Sequence, residues 1–410
     1  MISKLLRAGI CLAILASGLF APVSASAAPL AAPTPGPCVD GRLPSGALSR
    51  ICIPSSGWNG DLVIFAHGYI AFNQPLDFQH LVTPDGTSVP DLIQGLGFAF
   101  ATTSYRRNGL AILEGADDVR ELAHSFRATH GVPRHTYLTG VSEGGIITAL
   151  LAEQSPELFD GGLSGCGPIG NFRQQLNYYG DMRVLFDYFF PGVLPGSVTS
   201  IPAETIANWD AVYLPRIKAA IAANPSKARQ LAITARALVN PDSPTEVETA
   251  ITRLLWYNVF ATNDGIQQLG GNPYDNSARV YIGSSNDLLL NARVKRYRAD
   301  PAALQIVQRY ETTGRLSIPL VTLHTTGDEL IPFWHQAAYV AKVSTTGDGS
   351  LVPIPIPRFG HCNFTSTELI GGFAALVLQV SGLELLGVQR LKADPSMVRG
   401  SPLSKQRATR

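Results

Sequence analysis

The sequence predicts an α/β fold: a mostly parallel sheet flanked by helices, with a large, mainly helical cap insertion. Three observations carry this. Strand-like runs alternate with helix-like runs along most of the chain. A glycine-flanked serine, Gly140-Val141-Ser142-Glu143-Gly144, sits where one such strand passes into a helix. The alternation then stops between about Asn171 and Arg315, where strand-like runs are scarce.

The chain has 410 residues, 45% of them hydrophobic, enough for a sizeable core in one large domain or two. It carries 32 basic and 31 acidic residues, a formal charge of +1. That balance gives no pull toward nucleic acid or an acidic polymer.

Residues 1–27 read as a signal peptide. Lys4 and Arg7 form a positive start, Ala8 to Phe20 is a short apolar run, and Ala25-Ser26-Ala27 matches the A-x-A cleavage pattern. A bilayer span needs roughly 20 apolar residues, more than this run supplies. Cys11 follows Ile10 inside that run, a poor lipidation site. No other segment reads as a stable membrane span. Ser366 to Val388 is apolar but carries Glu368 and Glu384, and reads as a packed helix. The expected location is secreted or periplasmic. Four cysteines remain after cleavage: Cys38, Cys52, Cys166 and Cys362. An even count in an oxidising compartment points to disulfides. Cys38 and Cys52 flank a loop containing Gly and Pro, which suits a local bridge and would leave Cys166 for Cys362. Three connectivities stay open, as do buried free thiols. No C-x-x-C or H-E-x-x-H spacing offers a metal site, and no cofactor is implied.

In chain order, residues 28 to 37 are rich in Ala and Pro and read as a flexible lead-in. Expected strands are Asp61 to Ala66, Phe98 to Ser104, Thr136 to Val141, Gly161 to Gly165, Pro319 to His324 and Leu351 to Pro355. Glu114 to His130 is an expected helix, with Val119, Leu122, Ala123 and Phe126 at helical spacing. Residues 28–170 and 316–390 make the core. Residues 171–315 make a helical cap over the C-terminal edge of the sheet, with helices over 203–240 and 245–260. A stretch of this length is too long for a plain loop. It opens on Phe172, Tyr178, Tyr179, Phe186, Tyr188, Phe189 and Phe190. These rings read either as packing within the cap or as the wall of an acyl or aryl pocket. Residues 391–410 hold Pro, Ser, Lys and Arg and read as a disordered tail.

The serine turn is where the chemistry begins. Thr136 to Thr139 has strand character, and Ile146 to Gln154 continues as a helix. A serine between them projects from a sharp turn, which needs glycines on either side. Such a nucleophile requires a base, an orienting acid and an oxyanion hole. The acid is Asp328, after the glycine that ends a strand in Thr325-Thr326-Gly327-Asp328. Asp287 and Asp348 are weaker rivals, in the cap and in a Gly-rich turn. The base is His361, which follows the last expected strand through Gly360. Imidazole is suited to take the serine proton and return it to the leaving group. The oxyanion hole is expected from the backbone N–H groups of Glu143 and Tyr69, the latter after His67-Gly68. His67 then reads as structural, and His324 lies inside a strand. The Glu143 side chain reads as a charge suited to the positive end of a helix.

These elements, His67-Gly68, G-x-S-x-G, Gly327-Asp328-x-x-x-Pro332 and Gly360-His361, stand in the order found in the α/β-hydrolase superfamily. Residues 50 to 390 resemble a secreted member of it, esterase- or lipase-like. The resemblance implies an acyl-enzyme serine hydrolase acting on a small-molecule or polymeric ester. There is a partial echo of tannases and feruloyl esterases, in which cysteines directly before the serine and after the histidine are bridged. His361-Cys362 matches one half; Val141 stands where the other half needs cysteine. A bridge near the site would then take Cys166. The alternatives are an amidase or peptidase with the same triad, acyl transfer to an alcohol, and a silent hydrolase fold used for binding.

Overall fold

A computed structural model describes residues 32–385, except Pro84 and Asp348. The signal-peptide and tail segments and the rival Asp348 lie outside the described residues.

Eight strands form one sheet: β1 (Cys38–Arg42), β2 (Leu48–Cys52), β3 (Leu62–Ala66), β4 (Ala99–Thr103), β5 (Thr136–Val141), β6 (Gly161–Gly165), β7 (Leu320–Gly327) and β8 (Leu351–Phe359). Their order is β1-β2-β4-β3-β5-β6-β7-β8. From β4 to β8 every pairing is parallel; β2 runs antiparallel to both β1 and β4. All six expected strands are present. The fold is the α/β-hydrolase fold.

The central strands bury both faces, as parallel sheets do. In β3, Leu62, Ile64 and Ala66 join one apolar cluster, while Val63 and Phe65 join another. The first lies under α2 (Ile112–His130) and α3 (Glu143–Gln154). The second lies under α1 (Val89–Gly95) and α12 (Ser366–Leu385). The expected helix over Glu114 to His130 and the packed helix from Ser366 are both found.

Between β6 and β7 come α4 (Phe172–Phe189), α5 (Ala203–Ala207), α6 (Leu214–Ala223), α7 (Pro225–Thr234), α8 (Pro244–Leu269), α9 (Asp287–Arg293) and α10 (Pro301–Val307). Helix α11 (Trp334–Thr346) follows β7. The insertion has its own apolar cluster, which includes Phe186, Trp209, Ile217 and Leu254 and packs on Ala71, Leu330 and Ile331 of the core. The run expected as a helix over 203–240 is broken by a π-helical turn, Trp209–Tyr213, and by Asn224-Pro225. The aromatic run from Phe172 is itself a helix, begun by the Asn171 side chain accepting the Gln174 N–H at 2.8 Å.

Three readings need correction. Cys38 to Cys52 is a hairpin, with those two residues as register partners, rather than a loop. Strand β1 is exposed at all five positions and shows no apolar alternation, so no pattern marks it. Strand β8 runs past Pro355 to Phe359; Pro is tolerated because this edge strand pairs on one side only. The lead-in is pinned from Thr34 onward: its N–H donates to Ser56 at 3.1 Å, and Gly36 N–H to Gln94 Oε1 at 2.9 Å.

The Ser142 turn sets the tightest contact. A Cβ on Gly144 would overlap the Ala66 carbonyl and lie 2.7 Å from His67 O, both backbone. Gly144→Ala should therefore cost about 3 kcal/mol or prevent folding. Gly371 of α12 is exposed with open space around it, and Gly371→Ala should raise stability by roughly 0.5–1 kcal/mol. Urea unfolding of the two variants checks the contrast.

Candidate active site

Strand β5 ends at Val141, and α3 starts at Glu143. Ser142 between them has φ 57°, a left-handed conformation rarely taken by a residue with a side chain. Its N–H donates to Gly165 O of the neighbouring strand at 2.8 Å, and its C=O accepts from Gly145 N–H at 2.9 Å. A Cβ on Gly140 would lie 2.6 Å from Thr148 Oγ1, and one on Gly145 2.7 Å from Gly165 O. The glycines are steric necessities, as the motif implied.

The structure brings the three expected side chains together. Ser142 Oγ is 2.9 Å from His361 Nε2, and His361 Nδ1 is 2.8 Å from Asp328 Oδ2. An Nδ1–H donating to the carboxylate leaves Nε2 to accept the serine hydroxyl. Asp328 is fully buried and also accepts the N–H groups of Leu330 and Ile331, at 3.0 and 2.8 Å. Three donors hold its orientation. Asp287 is committed elsewhere: it accepts from Ser284 N–H at the start of α9. His324 Nε2 lies 2.7 Å from Ile331 O, bracing the same loop. His67 is buried and stacked on Tyr105 at 4.0 Å, and burial pulls its pKa down to about 4. It stays neutral, in keeping with a structural part.

Gly68 brings the backbone close to Ser142: a Cβ there would lie 3.3 Å from Ser142 Cβ. Among the described residues, no acceptor takes the N–H of Tyr69 or of Glu143. These are the two groups expected to receive an oxyanion.

The Glu143 side chain departs from expectation. It is buried, and its carboxyl accepts the Ala111 N–H at 2.9 Å. Desolvation pushes its pKa up to about 8, beyond what the Ala111 bond offsets, and the Asp264 carboxylate pushes the same way. Burial, rather than the charge expected at a helix start, dominates this carboxyl and favours its protonated form near neutral pH.

Both expected disulfides form: Cys38–Cys52 and Cys166–Cys362, the second with Cα atoms 5.4 Å apart. Cys362 Sγ lies 3.4 Å from His361 Nε2.

Helix α8 reaches into the site from the insertion at several points. Asp264 ion-pairs with Arg107 and accepts the Leu110 N–H at 2.7 Å. Arg253 ion-pairs with buried Glu329, next to Asp328. Helix α4 adds Tyr178, whose hydroxyl donates to Glu329 O at 2.7 Å, and Gln175, which donates to Leu330 O at 2.8 Å. Tyr69 donates its hydroxyl to Phe260 O of α8 at 3.0 Å. These tethers are absent from the sequence reading, because no local pattern links residues so far apart. The aromatic run divides between its two expected uses. Phe186, Phe189 and Phe190 pack within the insertion, whereas Phe172 and Tyr179 line a cavity of about 90 Å³ at Ser142. His80 was also missed. Its Cε1 lies 3.5 Å from the Cβ position of Gly68, and only its place in the fold reveals it.

A family model described as a tannase-like family of unknown function (DUF6351) matches residues 44–277, more than half of the chain. The chain belongs to this family. The matched span holds Tyr69, Ser142, Glu143 and Cys166, and stops before Asp328 and His361. In this tannase-like chain the cysteine after the histidine is bridged one strand beyond the nucleophile strand, at the end of β6. No curated protein matches it. Similar solved structures include an esterase from Aspergillus oryzae, with 12% identity, 82% of this chain and 77% of that one covered, and a TM-score of 0.45. Candida antarctica lipase A in its closed state has 13% identity, with 84% and 77% covered and a TM-score of 0.44. Pyrococcus horikoshii acylaminoacyl peptidase has 12% identity, with 87% and 42% covered and a TM-score of 0.41. The chain spans about two-fifths of the length of that peptidase.

The Glu143 carboxyl makes stability depend on pH. Between its ordinary value of 4.5 and about 8, the folded chain keeps a proton that the unfolded chain has released. Stability therefore falls as pH rises through that window. Glu143→Gln keeps the acceptor for Ala111 and removes the proton. Its stability relative to the native protein should rise from pH 5 to 8, by up to about 1.4 kcal/mol per pH unit. Urea unfolding at the two pH values reads the difference; a constant difference would mean that Glu143 is ionised in the folded protein.

Proposed function

We propose that the protein is an exported serine hydrolase that cleaves carboxylic esters through an acyl-enzyme. The hydrogen-bonded chain Ser142–His361–Asp328 beside two unpaired N–H groups carries this reading. His361 Nε2 takes the serine proton as Oγ bonds to the ester carbonyl carbon. The carbonyl oxygen becomes an anion held by the N–H groups of Tyr69 and Glu143. Collapse breaks the bond to the alcohol oxygen, which leaves with the proton from His361. Water then enters by the same route and frees the acid. Asp328 keeps the imidazole in the tautomer this needs.

The remaining features support the same reading. The insertion acts as a cap that walls the cavity at Ser142, mostly with apolar residues. The signal-peptide pattern and the two disulfides suit an oxidising compartment outside the cytoplasm. No helix among the described residues is long and apolar enough to cross a membrane.

Ser142→Ala should lower ester turnover by at least about 10³ and leave the unfolding curve unchanged. A fluorophosphonate should label the native protein at Ser142 and leave the variant unlabelled. More than a tenth of native ester activity in the variant would overturn the assignment. A matched ester and amide pair decides the substrate class; preferential amide cleavage would replace esterase by amidase.

Reduction should slow turnover of the native protein, because the Cys166–Cys362 bridge holds the residue beside His361. Double replacement of Cys166 and Cys362 by serine should reproduce that loss, and the same double variant should then be indifferent to reductant.

A further inference from the structure

One cavity opens on Ser142 itself, and a second is lined by residues next to Ser142 and His361. The first, of about 90 Å³, is lined by Ser142 and by Tyr69 and Glu143, whose N–H groups await the oxyanion. The second, of about 230 Å³, lies between α1, α12 and the sheet. Its walls are apolar: Leu92, Ile93, Leu96, Leu163, Leu369 and Phe373. Its lining also includes Val141 and Cys362, the immediate neighbours of Ser142 and His361, and His80.

We infer that this second cavity receives an apolar alcohol portion of the ester, alkyl or aryl, while a short acyl group sits in the first. The inference rests on the roles proposed above for Ser142 and His361. It follows from where the proton goes. As the bond to the alcohol oxygen breaks, that oxygen takes its proton from His361 Nε2, so the alcohol portion must leave from the Nε2 side. Cys362, whose Sγ is 3.4 Å from Nε2, is one of the residues lining the second cavity. The carbonyl oxygen lies on the other side, toward Tyr69 and Glu143, which line the first. The acyl substituent, bonded to the same carbon, is left with the smaller space.

Size and surface agree. An apolar cavity of about 150 Å³ holds benzene, so this one takes a benzyl group with room to spare. Packing defects in cores are rarely larger than a water molecule. Val82, Leu96 and Ile370, which also line it, are 63%, 43% and 37% exposed. Large apolar side chains left in water around one opening are a feature that ligand grooves share. His80 stands where this cavity approaches Gly68 and the nucleophile, so it is placed to touch the alcohol portion.

The test uses isomers. Benzyl acetate and methyl phenylacetate exchange the same ring between the alcohol and acid sides. The native protein should hydrolyse benzyl acetate with at least roughly tenfold higher kcat/KM. Leu96→Trp, at a partly exposed wall position, should lower kcat/KM for benzyl acetate by roughly tenfold. It should leave methyl acetate and methyl phenylacetate within a factor of about two. Leu92→Phe serves if the first variant does not fold. Loss confined to methyl phenylacetate would make the cavity an acyl site and overturn the inference, as would no change in either isomer. The two readings fail separately. Absence of fluorophosphonate labelling at Ser142 defeats the hydrolase reading. Benzyl alcohol binding, followed by NMR shifts of the Leu92 and Ile93 methyls, tests the cavity without turnover; binding undiminished by Leu96→Trp would place the alcohol elsewhere.

Discussion

Everything at the site depends on holding Ser142 at a backbone angle that serine does not prefer. Residues in such regions cost of order 1–3 kcal/mol each and persist only where their surroundings over-determine them. Here the surroundings are backbone. Ser142 N–H is held by β6, and Gly140, Gly144 and Gly145 let the neighbouring chain close in without a Cβ. The strain is not confined to one residue. His80, Tyr105, Cys166 and Cys362 also have positive φ. Each stands beside the nucleophile turn, the histidine loop or the loop that His67 packs on. The core clusters on both sheet faces supply the rigidity that keeps these conformations in place.

Electrostatics around the triad are governed by burial more than by charge pairing. Burial raises the pKa of the Glu143 and Glu329 carboxyls. In Glu329, Arg253 from the insertion works against the desolvation. Asp264 ion-pairs with Arg107 and leaves no room for a side chain on Gly109, whose φ is 84°. The insertion therefore supports the site through α8, whose Arg253 and Asp264 brace the acid loop and the loop before α2.

Much of this was legible in the sequence because it is local. A glycine pair around a serine, a glycine before an aspartate and a glycine before a histidine each announce a turn at a strand end. Six strands could be placed within a few residues from short β-rich runs bounded by turn residues. What escaped was weakly patterned or non-local. Strand β1 has no buried face, and the end of β8 lies beyond prolines that usually end a strand. Helix α4 is so rich in rings that its periodicity is hidden. His80, Arg253 and Asp264 gain meaning only once distant segments are brought together. Glu143 was read from its place at a helix start, where dipole reasoning assumes exposure; the fold buries it.

The Cys166–Cys362 bridge closes a ring of chain, with a sequence separation of 196, that contains the whole helical insertion together with β7 and β8. Ser142 and His361 are consequently joined by two covalent routes. One runs the long way through the insertion. The other goes from Ser142 through α3 and β6 to Cys166 and crosses directly to the residue beside His361. A single protease cut anywhere in the insertion interrupts only the first. The fragments remain one molecule, and the Ser142 turn and His361 loop stay tethered through Cys166–Cys362.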